Sequence, residues 1–167
     1  MTVSIRRMTL DDVPAVHQID QASFSLPWPE RSFRYEIQEN RISRCWVAVE
    51  HEQVVGMLVL WLIEDEAHIA TIATHPDYRR RGIAEELLIE ALSQVEREGA
   101  TRAFLEVRAG NLGAQAMYAK YGFIQDGFRK QYYKDNNEDA LLLSLDDIAG
   151  MLSHIQMEKN QLKVEPS

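Results

Sequence analysis

The stretch Thr71–Val95, TIATHPDYRRRGIAEELLIEALSQV, constrains the fold of this 167-residue chain more than any other. It predicts the end of a strand, an arginine-rich turn and a long amphipathic helix that begins near Gly82. The first turn of a helix has unpaired backbone N–H groups and the positive end of the helix dipole. Such a turn attracts anions, most often phosphate. The stretch therefore predicts an anion-binding turn in an α/β domain.

Composition narrows the class of protein. The 18 Lys and Arg against 26 Asp and Glu give a net charge of −8, so we expect no direct contact with nucleic acid. The single cysteine, Cys45, excludes an internal disulfide, and the five histidines lack metal-ligand spacing, so no metal is expected. No apolar run approaches the ~20 residues of a membrane span and no signal-peptide pattern opens the chain. We expect a cytoplasmic protein that does not enter a membrane.

The periodicity of apolar residues predicts the order β-α-α-β-β-β-α-β-α-β-β, a mixed α/β (α+β) fold with a largely antiparallel sheet. A hairpin at His51-Glu52 and a bulge at Gly56 are expected in its first half. The fourth strand should alternate strictly, with Ile69, Thr71 and Ala73 on one face and His68, Ala70, Ile72 and Thr74 on the other. Residues Tyr132–Leu145 are predicted to form the last strand.

Two regions outside the regular elements carry further expectations. Prolines on both sides of Trp28 predict an extended loop between the first two helices, in which Trp28 either plugs the core or faces a substrate. After a domain over residues 1–146 we expect a helical extension over 147–167 that frays beyond Met157. Its apolar stripe (Ile148, Met151, Leu152 and Ile155) either covers the domain or pairs two chains.

The turn before the helix at Gly82 matches neither common phosphate motif. It contains no G-x-x-x-x-G-K-[ST] and no G-x-G-x-x-G. What remains is Arg79-x-x-Gly82-x-Ala84, in which Gly82 allows close backbone approach and arginine adds positive charge. Taken alone, this motif fits a well-capped helix at least as well as a nucleotide site.

Further segments change that balance. A resemblance to a known family rests on five segments: FSLPWPERSF, HPDYRRRGIAEELL, TRAFLEVRAGN, AQAMYAKYGF and GFRKQYYKDNNEDALLL. Together they resemble the GCN5-related N-acetyltransferase superfamily over Val3–Leu145. They are most similar to the branch that acetylates protein amino termini, whose bacterial members act on the N-terminal alanine of ribosomal protein S18. The resemblance implies a sheet splayed in the middle, about four helices and a C-terminal helical tail.

The resemblance implies acetyl-CoA as cofactor, with CoA as product. The backbone of Ile72, Ala73 and Thr74 would pair with pantetheine. The pyrophosphate would be held by the residues of the turn and helix start: Arg79, Arg80, Arg81, Gly82, Ile83 and Ala84. Asn111 would also contact the cofactor, and an ordinary helix N-cap is compatible with that role.

By the same resemblance, Glu106 would be the catalytic base and Tyr118 the acid beside the CoA sulfur. A phenol is protonated at neutral pH, because its pKa is about 10. From the residues alone, an ion pair of Glu106 with Arg102 or Arg108 on the same strand face is favoured over a catalytic role.

The acceptor is expected to bind between the loop containing Leu26 and Trp28 and a tyrosine pair, Tyr132 and Tyr133, which could instead be hairpin packing. Glu66 is a further candidate for contact with the substrate. The implied reaction is direct transfer of acetyl to a protein α-amino group in a ternary complex, with ribosomal protein S18 as acceptor and a monomer or weak dimer as the active form.

Two alternatives stay open. One is the same reaction on a small amine such as a polyamine or aminoglycoside. The other is an acyl-CoA-binding module without turnover. Thr74 and Ala84 depart from residues common in the branch, which leaves room for a different peptide preference.

Overall fold

A computed structural model describes residues 3–164 and contains one seven-stranded sheet. The strands lie in the order β1-β2-β3-β4-β5-β7-β6, and every neighbouring pair is antiparallel except β4 and β5. Their bounds are Ser4–Arg7 (β1), Ser43–Glu50 (β2), Gln53–Ile63 (β3), Glu66–Thr74 (β4), Arg102–Arg108 (β5), Ile124–Arg129 (β6) and Ala140–Leu145 (β7).

Helices cover both faces of the sheet. They are Val13–Ser23 (α1), Glu30–Gln38 (α2), Ile83–Arg97 (α3), Leu112–Lys120 (α4) and Ile148–Val164 (α5). One core is formed by α3, α4, α5 and the sheet face they cover, and the other by α1, α2 and the opposite face. The expected mixed fold and element order are confirmed. No helix among residues 3–164 combines the length and the apolar composition needed to cross a membrane.

The sheet opens between β4 and β5. These strands pair over only three positions, Glu66–His68 against Arg102–Phe104, and then diverge. The backbone of residues 69–74 consequently has β3 on one side and no strand on the other. Backbone polar groups need hydrogen-bond partners, so this edge is suited to pair with an extended ligand. The expected splay is confirmed.

Strict alternation along β4 was a wrong prediction. The pairing shifts register so that Val59 faces Thr71 and Leu60 faces Ile69, which leaves Ala70 as an extra, bulged residue. Ile69 and Ile72 therefore pack into the α3 core, whereas Ala70 and Ala73 pack against the α1–α2 core. A bulge inserts one residue and reverses the side-chain alternation beyond it. The hairpin at His51-Glu52 and a register shift beside Gly56 agree with the sequence.

One segment near the carboxyl end also differs from expectation. The last strand begins at Ala140, and residues 130–139 form a loop, because its Asp and Asn side chains hydrogen-bond backbone N–H groups and favour turns. The helix α5 runs from Ile148 to Val164, and residues 165–167 of the expected extension lie outside the described residues, so fraying beyond Met157 stays a prediction. Its residues Ile148 and Met151 are buried against the domain's own core, so this part of the stripe covers the domain.

Candidate active site

A cleft of about 970 Å³ lies where β4 and β5 diverge. Its walls come from these two strands, the loop after α1, and the amino-terminal ends of α3 and α4. Most residues expected at the site line it: Leu26, Trp28, Ile72, Ala73, Thr74, Arg79, Arg80, Gly82, Ile83, Ala84, Glu106, Asn111, Tyr118 and Tyr133. The structure thus brings together segments that are distant in sequence.

Three expected site residues lie outside the cleft. Arg81 donates to both carboxylate oxygens of the buried Glu50, at 3.2 Å each. Glu66 accepts from Arg102 at 2.6 Å, at the end of β4 away from the splay. Tyr132 is 44% exposed beside the cleft. Among residues 3–164, no group of three His, Cys, Asp or Glu side chains could hold a metal ion.

The turn before α3 has the features of an anion site. Gly82 has φ +77°, a left-handed conformation that favours glycine. The first hydrogen bond of the helix runs from Glu86 N to Gly82 O, so the N–H groups of residues 83–85 precede it and point outwards. The turn is braced by Arg79, which donates to the Thr74 carbonyl and to Ser23 Oγ, both at 3.2 Å.

Asn111 lies at the start of α4, on the opposite wall. Its Oδ1 accepts the Ala114 N–H at 3.2 Å, so the N-cap role is confirmed. The residue also lines the cleft, and the cap fixes its side chain there. A structural role and a ligand contact are therefore compatible at this position.

Glu106 and Tyr118 enter the cleft from β5 and α4. Glu106 is 35% exposed, and its Oε1 lies 3.1 Å from Arg129 Nε. Arg102 and Arg108, its expected partners, pair with Glu66 and Asp135 instead. The reason is the strand order: β7 lies between β5 and β6, and the side chain of Arg129 on β6 extends across β7 to Glu106 on β5.

Tyr118 is only 4% exposed and packs edge-on against Phe123, with ring centroids 5.5 Å apart. Burial raises the pKa of its phenol well above the usual value of 10. Removal from water penalises the charged form of a side chain, so this hydroxyl keeps its proton. At neutral pH Tyr118 therefore has a proton to donate and no phenolate that could act as a base.

The loop after α1 forms one side of the cleft. Trp28 packs on Phe33 at 5.2 Å between ring centroids and also lines the cleft, so packing on the core does not remove it from the cleft wall. Its backbone N–H donates to Asp20 Oδ2 at 2.6 Å. Asp20 is 1% exposed, and burial raises the pKa of its carboxyl. No role was expected for Asp20, although an acidic residue on the apolar stripe of α1 was a signal.

The loop between β6 and β7 forms the other side. The Arg108 guanidinium lies 3.9 Å from the ring centroid of Tyr133 and donates to Asp135 Oδ1 at 2.9 Å. These hydrogen bonds raise the pKa of Arg108 and lower that of Asp135. Glu138 accepts the Gly110 N–H as well. Arg108 was considered only as a partner of Glu106, and its place at the end of β5 was the available signal.

The sequence matches the Acetyltransferase (GNAT) family over residues 13–123. A putative [ribosomal protein bS18]-alanine N-acetyltransferase of Bacillus subtilis is 37% identical over 140 residues, which cover 84% of this chain and 93% of that protein. The [ribosomal protein bS18]-alanine N-acetyltransferase of Escherichia coli K12 is 31% identical over 144 residues, covering 85% and 96%.

A crystal structure agrees with these sequence matches. The ribosomal-protein-S18-alanine N-acetyltransferase from Escherichia coli superposes with a TM-score of 0.79 at 30% identity, covering 86% of this chain and 93% of that one. The splayed sheet, the turn before α3, Glu106 and Tyr118 all lie in the region of the family match. The chain therefore belongs to the GNAT family and is an acetyl-CoA-dependent N-acetyltransferase.

Proposed function

We propose that this enzyme acetylates the α-amino group of a protein, and that its acceptor is the N-terminal alanine of ribosomal protein S18. The observation that carries the proposal is that Glu106 and Tyr118 reach one cleft from different elements. The cleft has an anion-binding turn at one side and aromatic loops at another. The names of the relatives described above support the choice of acceptor, and the cytoplasm is where we expect it to work.

The cleft fits acetyl-CoA, which supplies an acetyl group activated as a thioester. The unpaired edge of β4 over Ile72–Thr74 would hydrogen-bond its amides. The outward N–H groups at the start of α3, together with Arg79 and Arg80, would hold its phosphates. Arg81 is instead committed to Glu50, so we propose that it supports the turn rather than contacting phosphate.

The proton transfers would fall to two side chains. An α-amino group has a pKa of about 7.7–8.0, so a modest base suffices to hold its proton. Glu106 would take that proton, directly or through water, on Oε2, because Oε1 is engaged by Arg129. The Tyr118 hydroxyl would give its proton to the departing sulfur, and burial keeps that proton in place beforehand. A backbone N–H on the open edge of β4 would polarise the acetyl carbonyl.

The acceptor peptide would lie between the loops that carry Trp28 and Tyr133, with its amine directed at Glu106. Leu26, 59% exposed on that loop, and Tyr132 would contact the next residues. The apolar stripe of α5 is used within the chain, which supports a monomer or a weak dimer.

Replacing the base tests the mechanism. Glu106→Gln should lower kcat at saturating peptide by about 10²–10³-fold and leave the KM for acetyl-CoA unchanged, because the lost group moves a proton and holds no cofactor. Thiol release from acetyl-CoA measures both. Asp126→Asn, a similar charge change at an exposed site on β6, is the control. Unchanged CoA release in Glu106→Gln would refute the assignment.

A further inference from the structure

A second cavity adjoins the active-site cleft at Trp28, whose side chain lines both. It has a volume of about 550 Å³ and is called the aromatic groove below. Its lining comes from the loop after α1, the outer face of α2 and the end of β3. The residues are Trp28, Arg31, Ser32, Tyr35, Glu36 and Trp61.

The floor of the aromatic groove holds a buried carboxylate. Glu36 is 7% exposed. It accepts from Asn40 Nδ2 at 2.7 Å, and Trp61 Nε1 lies 3.1 and 3.2 Å from its two oxygens. These donors are neutral. A buried carboxylate is stabilised most by a cation, so Glu36 has hydrogen bonds but lacks a charge partner among these contacts.

Of the three rings around Glu36, Trp28 packs on Phe33, whereas Tyr35 and Trp61 are not part of either core. Phe33, which is fully buried, is the residue that α2 contributes to the interior, whereas Tyr35 on the outer face is 52% exposed. Trp61 is partly exposed at the far end of β3. Aromatic faces around a carboxylate attract an ammonium or guanidinium group. Arg31 is exposed and lines the same groove, so it opposes such a guest.

We propose that the aromatic groove binds a lysine or arginine side chain of the acceptor polypeptide, in the segment that follows the residues held in the cleft. The inference rests on the proposed function, since the guest belongs to the same chain as the acetylated amine. Trp28 supplies the continuity, because a polypeptide that leaves the cleft along this side chain meets the groove. Charge complementarity selects a basic side chain, because the buried charge is Glu36.

Peptide length and charge test the proposal. Three peptides share their first three residues, beginning with alanine: one of about three residues, and two of about eight whose later positions carry either lysine or glutamine. For the wild type, kcat/KM should be about tenfold higher with the lysine peptide than with the glutamine peptide, with the difference in KM. Glu36→Gln and Tyr35→Ala should each abolish this preference, and Arg31→Gln should increase it.

The short peptide and a matched variant provide the controls. Each variant should keep wild-type kcat/KM on the short peptide, which shows an intact fold and active site. Glu39→Gln removes the same charge from an exposed position at the end of α2, outside the groove, and should keep the lysine preference. Equal rates on both long peptides, or a preference that survives Glu36→Gln and Tyr35→Ala, would overturn the inference alone. Failure of the wild type to turn over even the short peptide would overturn the proposed function and this inference with it.

Discussion

Three consecutive arginines precede α3, and each has different contacts. Arg79 braces the turn through Thr74 and Ser23, Arg80 lines the cleft with φ +64°, and Arg81 pairs with the buried Glu50. The sequence motif does not distinguish them, because the partner of Arg81 is 31 positions away. Position in the fold therefore separates an arginine that lines the cleft from one that pairs with a buried carboxylate.

Replacing Arg81 should affect stability, whereas replacing Arg80 should affect the KM for acetyl-CoA. Arg81→Gln leaves the Glu50 carboxylate without its cation and should lower the free energy of unfolding by about 1–3 kcal/mol. Arg80→Gln should leave stability unchanged and raise the KM for acetyl-CoA several-fold. Urea unfolding and steady-state kinetics measure the two effects. A stable Arg81→Gln with a raised KM would show that Arg81 contacts the cofactor after all.

The pH dependence of kcat tests whether Tyr118 is the proton donor. Burial favours its neutral form, so its raised pKa keeps the donor protonated up to at least pH ~10. We expect the wild type to show no alkaline loss of kcat due to this group below that pH, and Tyr118→Phe to lower kcat by about 10²-fold across the range. An alkaline limb near pH ~9 in the wild type that is lost in Tyr118→Phe would contradict this assignment.

At the scale of elements, the sequence predicted what depends on local pattern. The strands β2 and β3, the long helix α3 and its start at Gly82 were predicted closely, because their periodicity and turn residues are strong. The bulge at Ala70 was not, because it depends on how β4 pairs with β3. The loop over residues 130–139 was missed because its tyrosines favour strand, whereas the structure ties its acidic side chains to Arg108 and Gly110.

The loop between β6 and β7 can be tested through its anchor. Arg108→Ala removes the ion pairs to Asp135 and Glu138 and the contact with Tyr133. It should raise the KM for peptide by about tenfold and leave the KM for acetyl-CoA unchanged. The reason is that the substitution releases only the loop that carries Tyr133, on the side of the cleft proposed for the peptide. Arg102→Ala, on the same strand but paired with Glu66, is the control. Equal changes in both KM values would indicate general disruption instead.

At the scale of the molecule, the cleft between β4 and β5 has two sides of different character. One side is the open edge of β4 with the turn before α3, and the other is the pair of loops that face each other across Glu106. In the function proposed here, donor binding would follow from backbone geometry, and acceptor binding would depend on side chains in loops. Asp20 and Arg108 hold those loops through hydrogen bonds to Trp28 N and to Asp135, which the sequence pattern did not reveal. Acceptor choice is therefore the central claim to measure.

The most direct measurement is thiol release from acetyl-CoA with a panel of acceptors. The panel contains a peptide with the N-terminal sequence of ribosomal protein S18, the same peptide with its α-amine already acetylated, a lysine side-chain amine and a polyamine. We expect turnover with the free N-terminal alanine, none when that amine is blocked, and rates at least about 10²-fold lower with the other amines. Strong turnover of the small amines with an equal, low response to every peptide would contradict N-terminal acetylation.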